Sequence, residues 1–230
     1  MIRLLMSIIS ICLLATTAIA KETLSGGTLQ AYWRPYWDTE TRNYTPDLEI
    51  RYISHRADKK PRRIIDITNK TSDAEKITFI QQHFDRIPAT FFTYKEGYAN
   101  QPGTATVPHV HRYVECGSVY YEAKLTSFTA DHHSKLSDQD TLKDEQSAGC
   151  GDLYPYVAAY TLKDGVTASL KDRPNDDAGN VYVFKETKWL RKIKTINDEW
   201  IYAALYNYND PFNSSEIKGY IKLKDLDPVD

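Results

Sequence analysis

The chain has 230 residues, with 29 basic and 31 acidic side chains, a net charge of −2 and only three cysteines. Charges of both signs are interspersed, so the balance gives no pull toward nucleic acid or anionic lipid. Beyond residue 20 no stretch is apolar enough to span a bilayer.

The first twenty residues read as a secretory leader. Arg3 is a small positive n-region, residues 4–14 are an apolar core, and Ala18-Ile19-Ala20 is a small-residue cleavage signal before Lys21. Cys12 travels with that leader. Its removal predicts a mature chain of 210 residues, enough for one large or two small domains, that is periplasmic or secreted with no membrane insertion. The 29 basic residues fall to 28 when Arg3 goes, against 31 acidic, for a net charge of −3. Cys116 and Cys150 then remain, and an even count in an exported chain predicts one disulfide. Closing a loop of about 35 residues would contribute roughly 3 kcal/mol in the chain-entropy picture. The rival reading makes Cys150 a reactive thiol, but no basic residue beside it lowers its pKa.

Short alternating runs rich in tyrosine predict strands at 28–33, 48–54, 63–68, 90–94, 109–115, 118–128 and 154–162. Tyr32-Trp33-Arg34-Pro35-Tyr36-Trp37 places aromatics on both sides of a proline. Such a stretch serves either as core or as a contact surface, and Tyr36 and Trp37 are the candidates for contact. One segment has a helical period. Ser72-Asp73-Ala74-Glu75 is a capping box; Ile77, Ile80, Phe84 and Ile87 follow at helical spacing, and Pro88 stops the run. The spacing predicts a helix over 73–86.

Cys116-Gly117 reads as a two-residue hairpin turn. On its first arm His109, His111, Tyr113 and Glu115 share one face, and Val110, Arg112 and Val114 the other. Residues 129–152 are polar without a period and read as a long loop. Lys163-Asp164-Gly165 is a turn signal and marks a boundary near residue 162.

His109, His111, His132 and His133 could ligate zinc, with Glu115 or Glu122 as general base of a metal-dependent hydrolase. The plainer reading is an exposed strand face, and no H-E-x-x-H motif is present. Asp138, Asp140, Asp144 and Glu145 lack the offsets of a calcium loop. No nucleophile elbow, phosphate loop or dinucleotide glycine pattern occurs. No cofactor is implied.

The C-terminal part carries Leu170-Lys171-Asp172-Arg173-Pro174, then Asn197-Asp198-Glu199-Trp200, then Gly219-Tyr220-Ile221 with Leu223 and Leu226. This order resembles the bacterial SH3-like family, often called SH3b. That family has a Leu-x-x-Arg-x-x-Pro opening, a tryptophan starting a strand after a polar turn, and a Gly-Trp-Val ending. Tyr220 stands where the family has tryptophan, and 206–218 is longer than the usual connection. The resemblance implies a small barrel over 163–230, with Trp200 as a core anchor, Gly219 easing the turn before the last strand, and Tyr220 packing across the barrel. It also implies ligand binding without catalysis, to cell-wall peptide or to a protein. Tyr182, Trp200, Tyr206, Tyr208 and Tyr220 are the candidate contacts.

The expected architecture is therefore mainly β, or α+β. A disulfide-bearing sheet domain with one helix (21–162) precedes a small SH3-like barrel (163–230). The expected role is binding in the bacterial cell envelope. The alternatives are an inhibitor or immunity protein against a cell-wall hydrolase, and the histidine-based hydrolase.

Overall fold

The computed structural model describes residues 21–38, 40–41, 43–54, 63–115, 117–134, 158–207 and 215–229. Cys116, Cys150 and the 135–157 stretch lie outside them, as do the leader and Tyr208. Among the described residues the chain is mainly β, with two α-helices and two curled seven-stranded sheets. Among the described residues no helix is long and apolar enough to cross a membrane.

The first sheet contains β1 (Glu22–Asp38), β2 (Asn43–Ile53), β3 (Ile64–Ile67), β4 (Tyr98–Val107), β5 (Val110–Glu115), β6 (Ser118–Ala123) and β7 (Ser127–Ala130). Their order is β5-β6-β3-β2-β1-β4-β7. Only two residues separate β4 from β5, although the two lie far apart in that order, so the sheet must curl. One face packs on α1 (Asp73–His83) and α2 (Ala89–Thr93) around Trp33, Ile50, Tyr52, Ile65, Ile80 and Phe91.

The helix forms because its cap is complete. Ser72 Oγ accepts from the Glu75 N–H, and the Glu75 carboxylate accepts from the Ser72 N–H. It ends at His83, three residues earlier than its period suggests, and Phe84 turns into the core as an extended residue. Lys76 is buried; its ammonium donates to the Leu48 carbonyl and lies 3.6 Å from Glu49 Oε2.

Residues 90–94 are not a strand. They form the short α2, with the Phe91 N–H bonded to the Pro88 carbonyl. The Thr-Phe-Phe-Thr composition favours a strand. Tertiary packing overrides it, because a helical turn drives Phe91 fully into the core, 5.9 Å from the Trp33 ring.

The ten-residue β4 escaped the sequence pattern. Its buried positions are Ala99, Gln101, Gly103, Ala105 and Val107, too small or too polar to show as apolar alternation. The hairpin between β5 and β6 forms in the expected register, Glu115 opposite Ser118, with Gly117 at φ 76°. The predicted single strand over 118–128 is split into β6 and β7.

The second sheet contains β8 (Ala159–Leu162), β9 (Ser169–Lys171), β10 (Asn180–Val183), β11 (Leu190–Thr195), β12 (Trp200–Leu205), β13 (Lys218–Lys222) and β14 (Leu226–Pro228). Their order is β10-β9-β13-β12-β11-β8-β14. Leu170 near one edge and Leu226 on the other share a core with Tyr160, Ile201, Ala203 and Ile221, so this sheet also rolls over its own centre. The expected boundary at 162 would leave β8 with the first sheet. Its hydrogen bonds instead join it to β11 and β14 in the second.

The two sheets meet through the turn after α2. Lys95 (φ 48°) and Gly97 (φ 75°) bend the chain so that Glu96 reaches across. Its carboxylate accepts from the Thr195 N–H at 2.8 Å and from Thr195 Oγ1 at 2.7 Å, and lies 3.0 Å from Lys192 Nζ. The Tyr94 hydroxyl donates to the Ile196 carbonyl at 3.2 Å.

Gly219 lies inside β13 rather than at a turn. A Cβ there would stand 2.7 Å from the Lys171 carbonyl oxygen and 2.8 Å from Leu170 Cβ. Its role is to let β13 approach β9. Gly219→Ala is expected to lower unfolding free energy by about 1–3 kcal/mol. Urea denaturation checks this, and an unchanged midpoint would contradict the close approach.

Candidate binding face

A strand turns alternate side chains to opposite faces, and β12 is where this matters most. Ile201 and Ala203 enter the core of the second sheet. Trp200 and Tyr202 therefore face the other way. Trp200 is 5% exposed and is buried, as a core anchor would be, although on the opposite face of the strand from the Ile201 cluster. Its N–H donates to Asn197 Oδ1 at 2.8 Å, and its carbonyl accepts from the Ile196 N–H at 2.9 Å. The predicted polar turn thus fixes where the tryptophan starts the strand.

Cross-strand pairing assembles the rest. Tyr202 stands opposite Tyr220, with ring centroids 4.9 Å apart. Trp200 stands opposite Lys222, whose Nζ lies 5.3 Å from the indole centroid. Exposed Lys194 places its Nζ 5.9 Å from the Tyr202 ring. Lys222 is held by Asp176 at 2.6 Å and Glu199 at 3.0 Å. The Asp176 hydrogen bond, then the Glu199 one, raises its pKa, and the same bond lowers that of Asp176. Farther along, the Tyr206 ring packs edge-on to Trp189 at 5.8 Å, and the Tyr206 N–H donates to the Trp189 carbonyl.

The sequence-derived candidates divide accordingly. Trp200 and Tyr220 come together, with Tyr206 beside Trp189 farther along. Tyr220 does not pack across the interior; its neighbour Ile221 does. Tyr182 packs against the core, edge-on to Phe184 at 5.1 Å. Tyr36 and Trp37 lie in the far end of β1, opposite Thr45 and Tyr44. Tyr202, Lys194 and Lys222 were missed. Period-two counting from Trp200 finds Tyr202, but the lysines follow only from strand pairing.

The histidines do not converge. His111 Nδ1 is 3.1 Å from Glu122 Oε1, on strands at one end of the first sheet's order. His132 follows β7, at the other end, with Nδ1 2.7 Å from Asp85 Oδ2. His109 is exposed, and the His133 N–H donates to Asp131 Oδ1. Among the described residues no three His, Cys, Asp or Glu side chains are grouped to hold a metal ion. His132 and Asp85 line a cleft of about 790 Å³ with Arg86, Asn100 and Ser134.

A second polar arrangement crosses the first sheet on the face away from the helices. Register places Asn100, Gln30, Arg51, Asp66, Glu122 and His111 in one row, one residue per strand. Gln30 Nε2 donates to Asn100 Oδ1 at 3.0 Å, and Arg51 Nε donates to Gln30 Oε1 at 2.8 Å. Arg51 Cζ sits 4.7 Å from the Tyr32 ring centroid. Burial pushes the Asp66 carboxyl up to about 6, against the lowering pull of Arg51 and with help from Glu122. Burial likewise raises the Tyr32 phenol.

No family model, curated protein or solved structure matches this chain.

Because Asp66 holds its proton more tightly folded than unfolded, its charged form opposes folding above about pH 6. That cost fades as pH falls through about 6 toward the unfolded carboxylate range. Asp66→Asn is expected to raise stability at pH 8 by about 1–2 kcal/mol and to flatten the gain between pH 7.5 and 5. Denaturant melts across that range measure it; an unaltered pH slope would refute it.

Proposed function

We propose that this chain is an exported, non-catalytic binding protein of the bacterial cell envelope. Its second sheet is an SH3-like roll, and the outer face of β11, β12 and β13 takes up cell-wall peptide. The observation that carries this reading is the Tyr202 and Tyr220 ring pair, set between Trp200 with Lys222 on one side and Lys194 on the other. Aromatic faces stack on amide planes and methyl groups, and the exposed Lys194 ammonium attracts a carboxylate. Lys222 is already paired with Asp176 and Glu199 and serves to hold the face in place. A short peptide bearing free carboxylates offers both.

The leader-like first twenty residues support export, and the ordered motifs around Trp200 and Gly219 support the SH3-like assignment. A periplasmic or secreted location follows from the same leader. Rigid presentation adds to the argument. Trp200 is pinned by Asn197, Lys222 is clamped by two carboxylates, and the sheet end is tied to the first sheet through Glu96. Little side-chain freedom is then lost on binding.

The mature chain is expected to sediment with purified sacculi. Replacing both Tyr202 and Tyr220 with alanine should weaken that binding about tenfold or more, since buried aromatic contacts are commonly worth 1–2 kcal/mol each. Circular dichroism confirms that the double variant folds. Sedimentation equal to wild type would sink the assignment of this face. Failure of the wild-type chain to sediment, with one envelope protein recovered instead, would replace the wall ligand by a protein partner.

A further inference from the structure

The two curled sheets leave four edge strands, and these are not equivalent. Edge strands expose main-chain donors and acceptors, and proteins blunt them by shortness, charged side chains (lysine above all), proline or a bulge. β14 is three residues long and ends in Pro228. β10 has four residues and a register break between Asn180 and Tyr182. β7 also has only four. β5 has six, Val110 to Glu115, without proline, lysine or glycine, and pairs with β6 in unbroken register. It is the longest edge among the described strands, and its two charged residues, Arg112 and Glu115, are of opposite sign.

Its side chains are self-complementary. The two-residue turn makes Glu115 and Ser118 the closing hydrogen-bonded pair. By alternation, the main-chain groups of His111, Tyr113 and Glu115 bond inward to β6, and those of Arg112 and Val114 point outward. Val114 is 60% exposed, more than any other large hydrophobic residue described, and lies opposite Val119 at 43%. On the other face Tyr113 stacks on Tyr120 at 5.4 Å and on His111 at 5.9 Å.

We propose that β5 pairs antiparallel with β5 of a second copy of this chain, about a two-fold axis at Tyr113. In that register Arg112 faces Val114 of the second copy, and the two exchange main-chain hydrogen bonds twice over, about four bonds in all. The aliphatic stem of Arg112 covers the exposed valine. His111 faces Glu115 of the second copy, adding a second carboxylate to the one it meets at Glu122. The two Tyr113 rings meet at the axis and extend the aromatic stack through both copies. A two-fold contact repeats each pairing, which is why opposite charges within one strand favour a self-partner. Six residues per copy make a small interface, so the dimer forms at high protein concentration.

Sedimentation equilibrium of the mature chain at about 200 µM tests this, a concentration that populates even a weak dimer. The weight-average mass is expected to approach twice the monomer value. Val114→Lys, which sets a second cation against Arg112, should return it to the monomer value with unchanged circular dichroism. Arg112→Glu combined with Val114→Lys should restore the dimer by pairing opposite charges. A monomeric wild-type chain, a dimer that survives Val114→Lys alone, or a double variant that stays monomeric would each overturn the proposal.

Discussion

The Tyr52 hydroxyl lies 2.7 Å from the Leu24 carbonyl and 2.9 Å from the Gly27 N–H, in space that a side chain on Gly27 would need. A Cβ there would stand 2.5 Å from that oxygen and from the Ile53 carbonyl. The same hydroxyl is 3.0 Å from the Gly103 carbonyl, and burial pushes its pKa up to about 12. One phenol therefore ties β2 to the bulge in β1 and to β4. It works because glycine removes the side chains that would hold the strands apart. Gly103 repeats the condition against Thr129 and Phe128, and Gly219 repeats it in the second sheet. A sheet that curls tightly over a small core needs such close approaches.

The aromatic face of the second sheet is a consequence of that curl. Ala203 and Ile201 fill the inside of the second roll, so Trp200 and Tyr202 take the opposite face, where Trp200 stays buried and Tyr202 is half-buried. Gly219 brings β13 against β9, which sets Tyr220 opposite Tyr202 and beside Lys171. Charge then fixes the surface: Lys222, clamped by Asp176 and Glu199, holds the loop after β9 against the start of β12. Glu96 fastens the far side of this sheet to the first through Thr195 and Lys192. The aromatic face is thus presented by a framework braced on two sides.

The polar row across the first sheet shows a different use of register. Gln30 and Arg51 are fully buried yet accept and donate along the row, which is how buried polar groups are tolerated. Asp66 sits where Arg51 draws it toward ionisation and burial opposes this; burial dominates. Six strands from distant parts of the chain contribute one residue each. Nothing in the spacing of Gln30, Arg51 and Asp66 announces that they are neighbours.

The residues themselves announced the predominance of strands, the capped helix from Ser72 and Glu75, the hairpin turned by Gly117, and Trp200 opening a strand after Asn197. Each depends on local chemistry: alternation, a side-chain cap, a positive φ, an Asn side chain bonded three residues on. The sequence could not show β4, whose inward residues are small, nor α2, where burial of Phe91 outweighs propensity. Assignment of β8 to the second sheet, the pairing of Tyr220 with Tyr202 on the face opposite Ile221, and the gathering of lysines around them came only with the tertiary structure. Those features depend on which strands pair and in what register, and pairing is decided by contacts between residues remote in the chain.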